Sequence, residues 1–384
     1  MNILMFSIER RLFKKDEFVR RCFSDYASLI DSLDIIVLNV RGSDYKKFKI
    51  SEGCWVYPTN SKTKWHYFND ALKIAREIKK DSLFSDGQEK KIDLITSQDA
   101  YDVGLVAYFV AKRLEVKALE LQIHTDLFIK YFIKASLRNF LRSKTASFLL
   151  RKASHIRVVS KRIKNSLPRD ISKDKISVVP IFTSSSLIQA IQPNFDLHQR
   201  YPQFKFIVLM MCRLESEKNI ALAILAMQEV VKVFPKTGLL VVGSGSQRKF
   251  LRRLARRRGL EENVIFKKWT DDPISYFKTA DLFLSTSNYE GYGLSLVEAI
   301  VSRCPILTTK VGIVGEVLSG NNALICDVGD KDCLVNSLKK AQQYPELLEE
   351  FKEKAYTDFL NKIPQNRNEN LALIRKGWEK AINK

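Results

Sequence analysis

Short apolar runs alternate with stretches of helical periodicity along most of the chain. The first run, Asn2–Ser7, predicts a strand, and runs at 35–40, 92–96, 118–123, 156–159 and 176–179 predict more. Helical patterns at 70–80 and 103–114 lie between them. Strands and helices in alternation argue for a parallel sheet with crossover helices. A polar stretch at 193–202, with prolines at both ends, predicts a linker. The alternation then restarts. Strands are expected at 206–212, 238–242, 264–266, 282–285, 305–309 and 323–326, and helices at 220–234, 247–258 and 294–302. The expected fold class is therefore α/β, with two doubly wound domains at 1–198 and 199–384. Two such domains in tandem would face each other across a cleft outside the carboxyl ends of their strands.

Length agrees, since 384 residues exceed what one core usually organises. Apolar residues make up 45% of the chain, which excludes the disordered class. Six cysteines, at 22, 54, 212, 304, 326 and 333, form no CxxC pair, and His66, His124, His155 and His198 complete no zinc pattern. Reduced thiols in a cytoplasmic protein are expected. The opening segment lacks the charged start and long apolar run of a signal peptide. No stretch approaches the roughly 18 apolar residues of a spanning helix, so any membrane contact would be peripheral.

Lys and Arg total 64 against 43 Asp and Glu, a net charge of +21. This bears on partners: a membrane surface, a nucleic acid or an anionic small molecule. Much of the excess is local. Residues 130–170 hold twelve Lys or Arg and one acid, Asp170. Lys130, Lys134, Arg138 and Arg142 recur every four residues and predict one basic helical stripe beside Ile133, Leu137, Phe140 and Leu141. Such a helix either rests on an anionic membrane or packs on its own sheet with a solvated basic side. The arginines at 252–258 read as a solvated helix face. No recognised nucleic-acid module appears, which disfavours specific nucleic-acid binding.

The most informative segment is the one from Asn288 to Ala299, which contains Glu290, Gly291, Gly293, Leu294 and Glu298. It follows a strand and opens a helix. Glycines there let a ligand approach the backbone, and a helix start offers free amides to an anion. The same pattern is also an ordinary glycine turn with Glu298 on a solvated helix face. Arg213 and Lys218 stand just past another strand end, where they suit phosphate, or else balance Glu215 and Glu217. Gly243 and Gly245 close the next strand without the third glycine of a dinucleotide fingerprint, and no Walker A pattern exists.

Together these segments resemble glycosyltransferase family 4, retaining enzymes of the GT-B architecture, in which two Rossmann-like domains face across a cleft. Glu290 to Glu298 is similar to the family's E-x7-E signature. Arg213-Leu-Glu-Ser-Glu-Lys218-Asn is similar to its R-L-x-x-x-K-N, Gly243-Ser-Gly245 to its G-x-G turn, and the segment from Gly312 to Glu316 to its late G-x-x-x-E turn. The resemblance is strong over roughly 200–330. It implies a UDP- or GDP-sugar donor held by Arg213, Lys218, Gly243, Gly245, Gly291, Gly293, Leu294 and Glu298, with Glu290 on the transferred sugar. It implies no cofactor and no metal. His124, at a strand end in Gln122-Ile-His124-Thr-Asp126, matches the family's cleft histidine, and it also fits a capping or core histidine. After the first strand the family often carries a glycine-rich loop. Here that place reads Ser7-Ile-Glu9-Arg10-Arg11, which leaves Glu9 as an acceptor contact or a surface charge.

The implied function is transfer of a sugar to a lipid-linked acceptor or cell-surface glycan precursor, on the cytoplasmic face of a membrane. The alternatives are a nucleotide-sugar epimerase of the same fold and a basic nucleic-acid-binding protein. The last helix is expected to return to the N-terminal domain.

Overall fold

In a computed structural model, which describes residues 1–14, 17–42, 45–81 and 89–383, the chain divides into two compact units. Unit 1 comprises residues 1–159, 163–179 and 368–384; unit 2 comprises 160–162 and 180–367. The chain thus leaves unit 1 well before the expected boundary at 198 and returns to it with its last helix.

Unit 1 is built on an eight-stranded sheet. Its strands are β1 (Asn2–Ser7), β2 (Ser32–Val37), β3 (Phe48–Ser51), β4 (Cys54–Pro58), β5 (Leu94–Ser97), β6 (Leu119–Ile123), β7 (His155–Val158) and β8 (Ile176–Val178). Their spatial order is β3-β4-β2-β1-β5-β6-β7-β8, and only β3 runs antiparallel to its neighbour. The centre is buried on both faces, so Ile3, Met5, Ile35 and Val37 meet Phe23 on one helix and Trp378 on another. Trp378 lies on the helix Arg367–Ile382, which closes this core from the far end of the sequence.

Unit 2 carries a six-stranded, wholly parallel sheet. Its strands are β9 (Phe206–Met211), β10 (Thr237–Val242), β11 (Val264–Lys267), β12 (Leu282–Ser285), β13 (Ile306–Thr309) and β14 (Leu324–Cys326), in the order β11-β10-β9-β12-β13-β14. Val208, Met210, Leu239 and Val241 pack under Ala223 and Met227 of the helix Ile220–Val230. Helix starts are fixed by local chemistry. Asp272 accepts from the Ser275 amide with Pro273 in the first turn, and Asp330 accepts from the Cys333 amide.

In each sheet the chain first winds one way from a central strand and then the other. The order reverses between β1 and β5 in unit 1 and between β9 and β12 in unit 2. Such switch points open a crevice at the strands' carboxyl ends, where ligands collect.

Three expectations change. The stretch 193–202 lies inside unit 2 and contains the short helix Leu197–Arg200, with the Asn194 amide donating to Ser275 and the Leu197 amide to Thr279. Its polar side chains serve as caps and anchors there, which composition alone reads as linker. Cys326 and Cys333 are joined in a disulfide, because the end of β14 and the first turn of the helix Lys331–Gln343 bring their Cα atoms to 5.7 Å. Cys22, Cys54, Cys212 and Cys304 are not disulfide-bonded among the described residues. The basic stripe is not one helix. Ser136 adopts extended dihedrals between the helices Lys130–Ala135 and Leu137–Lys152, and its hydroxyl caps the second by accepting from the Asn139 amide. A serine that can cap competes with helix continuation, and periodicity does not register that.

Candidate functional site

At the switch point of unit 2, the loops after β9 and β12 are stitched together. The Asn288 amide donates to the Glu217 carbonyl (2.7 Å), and the Thr286 hydroxyl reaches the carbonyls of Lys218 (2.9 Å) and Asn219 (3.0 Å). The Asn219 side chain donates to Asn288 Oδ1 at 3.1 Å. From the end of β13, the Thr309 hydroxyl donates to the Ser287 carbonyl at 2.6 Å. The position of the Glu290 segment is thereby set from two sides.

Within this frame Lys218 donates to the Glu290 carboxylate, and Ser287 Oγ donates to the same Glu290 oxygen at 2.8 Å. Both charges are largely buried, at 13% and 16% side-chain exposure. Arg213 differs. Its side chain is 72% exposed and pairs with Glu217 at 2.9 Å. The sequence groups Arg213 with Lys218, whereas the structure makes Lys218 the enclosed cation and Arg213 an exposed one at the edge, paired with Glu217.

Gly293 stands at the N-cap of the helix Leu294–Val301 with φ of 85°, a conformation that excludes most side chains. The exposed Leu294 opens the first turn, and buried Gly291 accepts from the Ser160 hydroxyl at 2.9 Å. One turn inside the helix, desolvation raises the pKa of Glu298 to about 7. Its carboxylate makes no hydrogen bond among the described residues. A half-enclosed carboxyl near a helix start, with no donors of its own, is suited to accept from ligand hydroxyls. Burial also raises the pKa of Glu316, whose carboxylate accepts from the Lys161 amide at 2.9 Å.

Gly243 and Gly245 have a structural reason beyond any ligand. A Cβ on Gly243, at φ of 151°, would lie 1.9 Å from the Cys212 carbonyl oxygen, and one on Gly245 would lie 2.4 Å from that of Leu214. The glycine turn presses directly on the loop that carries Arg213 and supports it: the Leu214 amide donates to the Ser244 carbonyl, and the Ser246 amide to Glu215.

In unit 1, Glu9 follows β1 and is clamped by the Arg11 guanidinium at 2.9 and 2.7 Å, which lowers its pKa. Glu9 is therefore engaged by its own chain. His124 follows β6, keeps an exposed face and contacts Gln122 Oε1 at 3.3 Å. Sequence patterns did not point to a cavity of about 690 Å³ beside the carboxyl ends of β1, β2 and β5. Ile8, Leu38, Trp65, Phe68, Leu105 and Val106 give it apolar walls, Asp99, Asp102, Arg138 and Arg142 also line it, and Arg10 and Lys64 stand at it with no ion pair among the described residues. Trp65 is 93% exposed. A signal was present in Lys64-Trp65 beside Tyr67 and Phe68, but those residues carry no motif.

Of the basic segment, Arg138 and Arg142 both pair with Asp102 on a neighbouring helix. Lys130 and Lys134 are exposed, as are Tyr131, Leu137, Phe140, Leu141 and Phe148. Lys144 lies over the Phe140 ring and Lys152 over the Phe148 ring. No group of three or more His, Cys, Asp or Glu among the described residues is arranged to hold a metal ion.

Residues 196–358 match the model of the glycosyl transferases group 1 family. A poly(glycerol-phosphate) alpha-glucosyltransferase of Bacillus subtilis is 38% identical over 28% of this chain and 16% of its own length. An alpha-monoglucosyldiacylglycerol synthase of Streptococcus pneumoniae is 25% identical over 62% and 54%. A capsular polysaccharide glycosyltransferase, CapM of Staphylococcus aureus, is 25% identical over 62% and 63%. The chain thus spans between 16% and 63% of the length of these curated relatives. Sucrose-phosphate synthase from Thermosynechococcus elongatus superposes with a TM-score of 0.79 at 18% identity, over 99% of this chain and 98% of that one. Anabaena HepE in complex with UDP and glucose superposes with a TM-score of 0.73 at 17% identity, over 100% and 99%. Residues 196–358 therefore match the group 1 glycosyltransferase model, in a chain whose two parallel-sheet units have the fold of the GT-B glycosyltransferases.

Proposed function

We propose that this protein is a retaining glycosyltransferase that moves a sugar from a UDP- or GDP-sugar to an acceptor bearing lipid or phosphate. The observation that carries the reading is the enclosed Lys218–Glu290 pair at the unit 2 switch point, beside the helix start at Gly293 and Glu298, whose carboxylate has no hydrogen bond among the described residues. A diphosphate arriving there competes for Lys218 and meets the amides of Gly293 and Leu294. Arg213 swings from Glu217 onto the same group. Glu298 accepts from ribose hydroxyls. Glu290, released from Lys218, accepts from hydroxyls of the transferred sugar.

In the reaction the bond between the anomeric carbon and the diphosphate oxygen breaks. The acceptor oxygen bonds to that carbon from the same side, and its proton passes to the departing diphosphate. Lys218, Arg213 and the helix amides stabilise the negative charge that develops there, and His124 orients the reacting groups. The two-carboxylate scheme of glycosidases is not used.

The acceptor side belongs to unit 1. Its cavity pairs the exposed Trp65 with the cations Arg10 and Lys64, chemistry that suits an acceptor with apolar and anionic parts. The exposed Leu137, Phe140 and Leu141 among lysines suit the surface of an anionic membrane, with the enzyme peripheral on its cytoplasmic side. No helix among the described residues is long and apolar enough to cross a membrane. The names of two relatives, a diacylglycerol glycolipid synthase and a poly(glycerol-phosphate) glucosyltransferase, support acceptors of this kind.

The test is a thermal-shift screen of nucleotide-sugars, since a bound donor raises apparent stability by mass action. It is followed by anomeric analysis of the product formed with a lipid-linked acceptor. One donor stabilising the protein and a product with unchanged anomeric configuration support the proposal. A donor converted without any acceptor identifies an epimerase instead.

A further inference from the structure

A line of buried polar groups runs through unit 1 to His124. Glu120, Gln122 and His124 alternate along β6 and its end, so their side chains share one face of the sheet. Glu120 is fully buried and receives on every side. Thr96 Oγ1 donates to Oε1 at 2.9 Å, Trp378 Nε1 to the same oxygen at 3.2 Å, and His155 Nδ1 meets Oε2 at 2.9 Å. Arg157 lies 3.9 Å away. Burial alone would raise the Glu120 pKa, but Arg157, then His155, outweigh it and hold the carboxyl below its usual range. Glu120 is therefore an ionised acceptor with no proton to give.

Counting protons outward fixes every later group. Thr96 has one hydroxyl proton. If it pointed away from Glu120, an oxygen lone pair would face a carboxylate at 2.9 Å. So that proton goes to Glu120, and Thr96 can only accept from its other neighbour, the Gln122 amide at 3.0 Å. Gln122 must then turn its NH2 to Thr96 and its carbonyl oxygen to His124, 3.3 Å away. A carbonyl oxygen requires a donor, and the ring nitrogen facing it is Nε2.

We infer that Glu120, Thr96 and Gln122 are positioning residues that hold His124 as the Nε2–H tautomer and leave Nδ1 as a hydrogen-bond acceptor. Trp378 and His155 hold Glu120, so the last helix of the chain contributes to the state of a strand-end histidine. Crowding by surrounding protein, and then the Arg157 charge, lower the His124 pKa, while its exposed face moderates that shift. The ring is neutral near neutral pH, and its tautomer decides which sugar or acceptor hydroxyl it can bind. This role rests on His124 acting in the proposed transfer, whereas the tautomer does not.

The test uses the full chain with 15N-labelled histidine. Two-bond nitrogen–proton correlation spectra near pH 7.5 report the tautomer of each ring, and His124→Gln identifies the His124 signals. Wild type is expected to carry the proton on Nε2. Thr96→Val keeps the volume but removes the acceptor for Gln122, so the amide is free to turn and His124 becomes a mixture of tautomers. Thr96→Ser keeps the wild-type signal. With donor varied to saturation, Thr96→Val is expected to lower kcat about tenfold to a hundredfold, with donor KM little changed. A wild-type proton on Nδ1, or a Thr96→Val protein with an unchanged tautomer, overturns the inference. A tautomer that responds while His124→Gln turns over like wild type sinks the catalytic reading of His124, and with it the positioning role.

Discussion

The two switch points have the same topology and opposite construction. In unit 2 the strand-end loops are bonded to one another, from Asn288 to Glu217, Thr286 to Lys218 and Thr309 to Ser287. Their charges are already paired, Lys218 with Glu290 and Arg213 with Glu217. In unit 1 the strand ends open onto an aromatic-walled cavity where Arg138 and Arg142 pair with Asp102, Arg10 and Lys64 have no ion pair among the described residues, and Trp65 projects into solvent. A rigid, self-satisfied site suits a ligand of fixed chemistry such as a nucleoside diphosphate. An open apolar and cationic surface suits a ligand that varies, and it makes its contacts through area and charge.

This contrast can be broken first at the glycines. Gly243→Ala, in unit 2, drives a methyl into the Cys212 carbonyl at a φ foreign to alanine. It is expected to destabilise by about 3 kcal/mol or more. Gly42→Ala, in unit 1 at φ of 127°, meets nothing within 4 Å and pays only for its dihedral, about 1–2 kcal/mol. Urea unfolding of the two variants measures both. Equal losses would mean that the unit 2 turn is no more constrained than an exposed loop.

A second effect is expected at the basic segment. Each cation near an anionic surface contributes about 1 kcal/mol, so Lys130→Gln with Lys134→Gln should weaken vesicle binding by roughly ten- to thirtyfold. Arg138→Gln with Arg142→Gln should cost less, because Asp102 already neutralises part of their charge. Co-sedimentation with anionic vesicles at low salt distinguishes the pairs. Wild-type protein that stays in the supernatant would remove the membrane from the account.

The smallest expected effect is a pH dependence. The folded pKa of Glu298 is raised to about 7 from an ordinary 4.5. Across that window the folded chain keeps a proton that the unfolded chain releases, so this group's contribution to stability falls as pH rises. Ribose hydroxyls donating to the carboxylate favour its charged form. Nucleotide affinity should therefore rise by up to about tenfold between about pH 6 and about pH 8. Glu298→Gln should flatten the profile. A wild-type profile that is flat or falling contradicts the ribose assignment.

Most strands of both sheets were legible, because a strand buried on both faces must be apolar throughout, and Phe206–Met211 is. The pair β3 and β4 was not, since an antiparallel edge with Trp55 and Lys49 outward has neither a run nor a clean alternation. The three C-terminal helices carry no motif, and that Trp378 lies against Glu120 is a tertiary fact 258 residues long in sequence. The unit 2 site was legible because its geometry is local: glycines, a helix start and charges at fixed offsets. The ranking of Lys218 over Arg213 was not, since enclosure depends on Ser287 and Thr309, which no spacing links to either cation. The cavity beside Trp65 assembles from three strand ends, so no single segment announces it.

The most direct measurement of the central claim is isothermal titration of UDP and GDP into the wild type, Lys218→Ala and Arg213→Ala. One nucleotide should bind the wild type. Lys218→Ala should lose about 1.5–3 kcal/mol, roughly ten- to a hundredfold in affinity, and Arg213→Ala less, in keeping with its exposure. Undiminished nucleotide binding by Lys218→Ala would contradict the placement of the diphosphate at the unit 2 switch point.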